Sequence, residues 1–176
     1  DALVASVHFD GFHRHADRLV MANIAQTVNV LQAMILTDGD ALVLTPSYHV
    51  FAMNKGHHDA DSLPLAVRGQ VPVQRVGEQE LQTFSGSAST KDGNVLVSLS
   101  NLDAEEPLEV RIDVRGSAVH SPTARLLAAD DVRAHNTADA TPVQPRDLDG
   151  LHLQDGQLRL TLPPHSFATV SFATGA

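Results

Sequence analysis

Arg18–Asp40, RLVMANIAQTVNVLQAMILTDGD, is the most hydrophobic and least interrupted run in the chain, and the architecture turns on what it forms. A buried strand is built almost wholly from Val, Ile, Leu and Met, yet this run also carries Asn23, Gln26, Asn29 and Gln32. Inside a core each amide must find partners or cost roughly 1–3 kcal/mol. Upstream, Ala2, Ala5, Phe9 and Phe12 recur at spacings of three and four, with Leu3, Val4 and Val7 widening the stripe, so Asp1–Phe12 reads as an amphipathic helix. A helix followed by a buried strand over Leu19–Gln26 is half of an alternating α/β pattern. Such a strand needs parallel neighbours that this chain does not supply.

Downstream, a second apolar run covers Val30–Leu36, and Thr37-Asp38-Gly39-Asp40 forms a turn leading into Ala41–Leu44. Thr45 suits a helix N-cap with Pro46 at the first helical position, and Gly56 suits the residue just past the end of a helix over Pro46–Lys55. That helix is expected to turn Tyr48, Phe51 and Ala52 inward. The polar stretch His57–Ser62 (HHDADS) reads as a linker. Beyond Leu63, short alternating segments recur between turn residues, the pattern of a β-sandwich. Leu108, Val110, Ile112 and Val114 alternate with Glu109, Arg111, Asp113 and Arg115, giving one core face and one solvent face. Val95, Val97 and Leu99 alternate similarly, as do Leu158, Leu160 and Leu162, and Ala168, Val170 and Phe172 close the pattern.

Bulk properties narrow the function. The chain has 176 residues, 43% hydrophobic, enough for a real core. Without Cys there are no disulfides and no thiolate metal sites. A net charge of −9 and the absence of basic clusters argue against nucleic acid as a partner. No apolar run reaches the length of a membrane span, so no membrane partner is expected. The sequence opens at Asp1, inside a helical pattern and without Met, as expected of a cut rather than a translation start. Any signal peptide would then lie upstream. A cytoplasmic setting is the first expectation, with a periplasmic or secreted one left open.

Gln26 is the leading candidate for a functional side chain. If Leu19–Gln26 is a barrel strand, its C-terminal end opens onto the face where barrel enzymes place their sites, and a primary amide there can both donate to and accept from a ligand hydroxyl. From position alone, pairing with buried backbone or a neighbouring loop is the competing reading. Asn23 stands three residues from Gln26, so on a regular strand the two face opposite sides. Asn29 and Gln32 are expected to satisfy loop backbone. His57-His58 with Asp59 and Asp61 could suggest a metal, but adjacent histidines on a polar linker share no defined geometry, and no metal site is expected. His13-Arg14-His15 precedes the strand's N-terminal end, where residues serve stability. No GxSxG occurs, and Ser87 within Ser85-Gly86-Ser87 reads as a strand-edge or turn serine.

Three segments carry a family resemblance: HADRLVMANIAQTVNVLQAMILTDGD with the following ALVLTPSYHVFAMNKGHHDA, then AHNTADATPVQP (Ala134–Pro145), then LPPHSFATVSF (Leu162–Phe172). Together they resemble the C-terminal part of glycoside hydrolase family 51, the α-L-arabinofuranosidases. The resemblance implies a mixed fold: residues 1–60 as the last helix-strand-helix units of a (β/α)8 TIM barrel, completed by an upstream segment or partner chain, and residues 61–176 as an antiparallel, jelly-roll-like β-sandwich. It implies retaining hydrolysis of terminal non-reducing α-L-arabinofuranosyl groups from arabinoxylan or arabinan oligosaccharides. Ala25-Gln26 matches the family's Ala-Gln at the end of the eighth strand, which implies that Gln26 contacts arabinose in the −1 subsite.

A retaining glycosidase needs two carboxyl groups about 5–5.5 Å apart. Asp38 and Asp40, Asp59 and Asp61, Glu105-Glu106 and Asp130-Asp131 all read as turn, linker or loop residues, so no catalytic acid, base or nucleophile is expected here. The resemblance places the two catalytic glutamates upstream, in an N-terminal segment that stays associated and covers the apolar faces of Leu3, Val7, Ile24 and Leu31. It also implies a homo-oligomer, often a hexamer, and no cofactor. A non-catalytic carbohydrate-binding sandwich is the alternative, but stacking on sugars needs an aromatic platform, and there is no Trp and a single Tyr, Tyr48, ahead of the sandwich. A purely structural domain is the other.

Overall fold

The structure is a computed structural model that describes residues 1–175. The chain runs α1 (Ala2–Arg14), β1 (Ile35–Asp38), β2 (Ala41–Leu44), α2 (Pro46–Asn54), a 3-10 turn (Lys55–His57), β3 (Asp61–Leu63), β4 (Val73–Val76), β5 (Gln79–Gln82), β6 (Phe84–Lys91), β7 (Asn94–Asn101), β8 (Leu108–Asp113), β9 (Ala118–Leu127), β10 (Arg146–Asp147), β11 (His152–Gln154), β12 (Gln157–Leu162) and β13 (Ser166–Gly175). A six-stranded sheet in the order β10-β9-β13-β7-β6-β3 packs on a three-stranded sheet, β11-β12-β8, and β1-β2 and β4-β5 are separate hairpins. All these pairings are antiparallel.

Period-two alternation builds the sandwich as the sequence predicts. Val95, Val97 and Leu99 of β7 and Ala168, Val170 and Phe172 of β13 meet Leu158, Leu160 and Leu162 of β12, with Leu108, Val110 and Ile112 of β8 partly buried at the same core. Each fully buried Val, Leu or Phe among them contributes about 1.5–3 kcal/mol by leaving water. The β6-β7 and β11-β12 hairpins turn on Asp92-Gly93 and Asp155-Gly156, where both central residues have positive φ (52° and 76°, 53° and 77°). That is the turn geometry whose twist matches paired strands.

The other face of the six-stranded sheet is where α1 and α2 lie. Phe167 of β13 joins Val50, Leu127 and Val143 there, with Leu3, Ala5, Phe9 and Met53 packed around them. The expected inward face of α2 is corrected: Ser47, Val50 and Asn54 are buried, whereas Ala52 is exposed and Tyr48 and Phe51 are half-buried. Thr45 caps α2 by accepting the Tyr48 N–H at 3.4 Å, with Pro46 following. Gly56 is not a left-handed cap; it sits in the 3-10 turn, where a Cβ would come within 2.8 Å of Leu96 Cδ2.

Two further expectations differ from the structure. Leu19–Gln26 forms no strand; it is an irregular, largely exposed segment between α1 and β1, with Val20 100% and Met21 73% exposed. A strand without neighbours leaves its N–H and C=O groups to water, so composition alone does not hold it extended. His57–Ser62 is not a solvated linker: His57 is buried, and Asp61–Leu63 pairs with β6 as an edge strand.

Candidate functional site

Gln26 is exposed, at the end of the irregular segment. Immediately after it backbone hydrogen bonding to β1 begins. Ile35 N–H donates to Thr27 C=O at 3.0 Å and Asn29 N–H donates to Ile35 C=O at 3.1 Å, making a parallel bridge between Val28 and Ile35. Asn29 (φ 52°) then spans β1 with its side chain: Thr37 N–H donates to Oδ1 at 2.7 Å, and Nδ2 donates to Thr37 C=O at 3.1 Å and Thr37 Oγ1 at 2.8 Å. Asn29 thus satisfies loop backbone as expected. Gln32 (φ 59°) lies exposed in the turn that follows, and Asn23 is exposed in the arm.

The hairpin that carries this anchor is itself tied to the sandwich. Thr45 N–H and Oγ1 both donate to Met34 C=O at 3.0 Å. Asn136, buried within Ala134–Pro145, donates through Nδ2 to Leu44 C=O and to Val143 C=O, both at 2.8 Å, and accepts Val143 N–H at 2.9 Å. One amide therefore closes a sandwich loop and clamps the end of β2.

Sequence reasoning missed a second polar assembly, between the helices and the six-stranded sheet. Ser85, Ser87 and Ser89 of β6 and Ser98 and Ser100 of β7 share the helix-facing side, all buried. Ser87 is a mid-strand residue and not the edge or turn serine expected. Ser6, Asp10 and His13 present one stripe of α1 to these serines, at the i, i+4, i+7 spacing of a helix face. Ser6 Oγ meets Ser100 Oγ at 2.9 Å, Ser85 and Ser87 donate to Asp10 at 2.6 and 2.8 Å, and His13 Nδ1 lies 2.8 Å from Ser87 Oγ. Burial pushes the Asp10 carboxyl above its ordinary range, opposed by the two serine hydrogen bonds and the nearby Arg14 charge.

His57 completes the seam. Its Nδ1 lies 2.7 Å from Ser89 Oγ, its Nε2 lies 2.8 Å from Ser98 Oγ, and its ring centroid is 4.4 Å from that of His13. Desolvation and, second, the His13 charge lower its pKa to about 4. Desolvation also lowers that of His13. Both rings are neutral at pH 7. The available signal is Ser at alternate positions of both strands, Ser85, Ser87 and Ser89 in β6 and Ser98 and Ser100 on either side of Leu99 in β7.

The trio Ser87, His13 and Asp10 has the residue types of a hydrolytic triad but the wrong order. Ser87 donates its hydroxyl proton to Asp10, so His13 Nδ1–H donates to Ser87 and has no lone pair there to take a proton. The seam is therefore structural. A cleft of about 450 Å³ beside it, lined by His13, Ser62, Leu65, Phe84 and Ser87 among others, has no carboxylate side chain in its lining among the described residues. Three of the surface acids have local partners: Asp103 accepts the N–H groups of Glu105 and Glu106, both at 3.0 Å, Asp131 pairs with Arg133 at 3.2 Å, and Asp59 pairs with His58 at 3.1 Å.

The family model described as the α-L-arabinofuranosidase C-terminal domain matches residues 1–166. The chain belongs to that family. An intracellular exo-α-L-arabinofuranosidase of Bacteroides ovatus is 37% identical over 171 residues, 97% of this chain and 33% of that protein. Among solved structures, a family 51 arabinofuranosidase from Xanthomonas axonopodis pv. citri is 44% identical with a TM-score of 0.91, over 98% of this chain and 35% of that one. A family 51 α-L-arabinofuranosidase from Bifidobacterium longum is 27% identical with a TM-score of 0.85, over 98% of this chain and 34% of that one. The chain thus spans about a third of the length of the relatives it matches. Within this C-terminal domain the Ala134–Pro145 segment serves as the clamp between sandwich and hairpin.

Proposed function

We propose that this chain is the C-terminal portion of an α-L-arabinofuranosidase that removes terminal non-reducing α-L-arabinofuranosyl groups from arabinoxylan or arabinan oligosaccharides with retention of configuration. The observation that carries the reading is the family match over residues 1–166, together with relatives about three times as long. Residues 1–60 are the final units of a (β/α)8 barrel whose upstream part bears the two catalytic glutamates, and residues 61–176 are the sandwich packed against it. The assembled enzyme works in the cytoplasm as a homo-oligomer, a hexamer by resemblance.

An exposed apolar arm supports an upstream partner: Val20, Met21 and Leu31 are 100%, 73% and 85% exposed. Leu3, by contrast, packs within this chain, so it is not part of the face left open. The parallel bridge at Val28 suits an arm that continues a parallel sheet.

In this reading the upstream carboxyls protonate the leaving oxygen and attack the anomeric carbon, while the Gln26 amide holds a hydroxyl of the reacting sugar. Hydrogen bonds to the sugar that strengthen in the transition state supply several kcal/mol. The test is the full-length protein assayed on an aryl α-L-arabinofuranoside. Gln26→Ala is expected to lose about a hundredfold or more in kcat/KM, with an unchanged melting temperature because Gln26 is exposed here. Activity near wild type would remove Gln26 from the site.

A further inference from the structure

The Asn29 side chain takes the place of a strand. In a parallel ladder, the bridge at Val28 and Ile35 would be followed by Thr37 bonding the backbone of residues 29 and 31. The chain cannot supply those groups, because Asn29 enters the left-handed region (φ 52°) and the backbone turns away at Val30. Its carboxamide supplies them instead: Oδ1 receives the Thr37 N–H and Nδ2 reaches the Thr37 carbonyl and hydroxyl. Asn suits both demands. It tolerates the left-handed region better than other side chains, and it carries one donor and one acceptor in a plane. Asp offers no donor to the Thr37 carbonyl, and Gly offers the backbone conformation without the amide.

Only Thr27 and Val28 lie between this clamp and Gln26, and the carbonyl of Thr27, next to Gln26, is already fixed by Ile35. We infer that Asn29 is the positioning residue that fixes Gln26 at the sugar site, by holding the end of its segment in register with β1. The inference rests on the reading of Gln26 as a sugar contact. The route of support is continuous: Gln26 to Thr27, Asn29 to Thr37, β1 to β2, and Leu44 to Asn136 in the sandwich. The sandwich thereby aligns a side chain it does not touch.

A double-mutant cycle on the full-length protein tests this, using kcat and KM for an aryl α-L-arabinofuranoside. Asn29→Gly keeps the positive φ and deletes the clamp. The expected loss in kcat/KM is about ten- to a hundredfold, the scale of an ångström-level misplacement. That loss should vanish when Gln26→Ala is already present, since a misplaced residue that is absent cannot matter. Thr37→Val removes one of the three contacts without touching the turn, and a smaller loss with the same dependence on Gln26 is expected should Asn29→Gly fail to fold. If Gln26→Ala is damaging while the clamp variants are silent, or reduce activity by the same factor in both backgrounds, Asn29 does not position Gln26. If Gln26→Ala itself is silent, the sugar-contact reading falls, and this inference falls with it.

Discussion

His57 Nε2 lies 2.8 Å from Ser98 Oγ, and the imidazole is the donor in that contact. Ser98 spends its own proton on Asn54 Oδ1 at 3.0 Å, while Asn54 Nδ2 donates to Val50 C=O at 2.9 Å. Neutral His57 is therefore the Nε2–H tautomer, accepting from Ser89 at Nδ1. One protonation state satisfies every group around it, and this ties the 3-10 turn to β6 and β7.

Stability should fall with acidification below neutrality. The folded pKa of His57, about 4, lies below the ordinary 6.5, so between those values the unfolded chain binds more protons. Its contribution is present above pH 6.5 and lost as pH falls toward 4, a change on the order of 3 kcal/mol. The lowered His13 acts in the same direction. Denaturant unfolding of His57→Gln at pH 7 and pH 5 should show a flatter pH dependence than wild type; parallel curves would contradict the buried neutral pair.

Asp10 has the opposite sign. Its raised pKa means that the folded form holds a proton longer than the unfolded one, so it costs stability as pH rises from 3.8 through the folded value. Asp10→Asn removes that cost and keeps an acceptor for a serine, and is expected to match or exceed wild type at pH 7. Asp10→Ala orphans Ser85 and Ser87 and should lose about 1–3 kcal/mol. Equal stability of the two variants in urea titrations would mean that the hydroxyls find other partners.

Two of the close-packed glycines, Gly56 and Gly86, should respond differently to a methyl group. At Gly86 a Cβ would meet the Ser98 backbone oxygen at 2.9 Å, whereas at Gly56 it meets the end of the Leu96 side chain at 2.8 Å. Backbone cannot step aside as a Leu rotamer can. Gly86→Ala is expected to cost about 1–3 kcal/mol, and Gly56→Ala less; the reverse order of melting temperatures would contradict this packing.

Asn136→Ala should loosen the hairpin from the sandwich. It deprives Leu44 C=O, Val143 C=O and Val143 N–H of a buried partner, at about 1–3 kcal/mol for each group left unsatisfied. Hydrogen exchange should quicken across β1-β2 and Ala134–Val143, with β12 and β13 unchanged. Uniform exchange across the chain would show that Asn136 acts on global stability alone.

These contacts explain which parts of the fold were legible. Val95 to Leu99, Leu108 to Val114 and Leu158 to Leu162 declare their strands because one face is apolar and the period is two. Ser85, Ser87, Ser98 and Ser100 hide theirs, since a hydroxyl facing a buried helix reads the same as one facing water. Ser6 and Asp10 were hidden likewise, being the most buried positions of a helix whose stripe was sought among Ala and Phe. Leu19–Gln26 fails in the other direction, because its apolar composition describes an environment that other residues must provide. Asn29 was legible as a loop-satisfying amide, but its three bonds to Thr37 were not, because they depend on a left-handed turn that composition does not announce.

The most direct test of the whole account is a crystal structure of the full-length protein with arabinose bound. The account predicts Leu19–Gln26 paired as a parallel strand with the upstream segment, and the Gln26 amide within about 3 Å of a sugar hydroxyl, beside two carboxyl groups from that segment. A sugar bound elsewhere, with Gln26 still facing solvent and Val20 and Met21 uncovered, would contradict it.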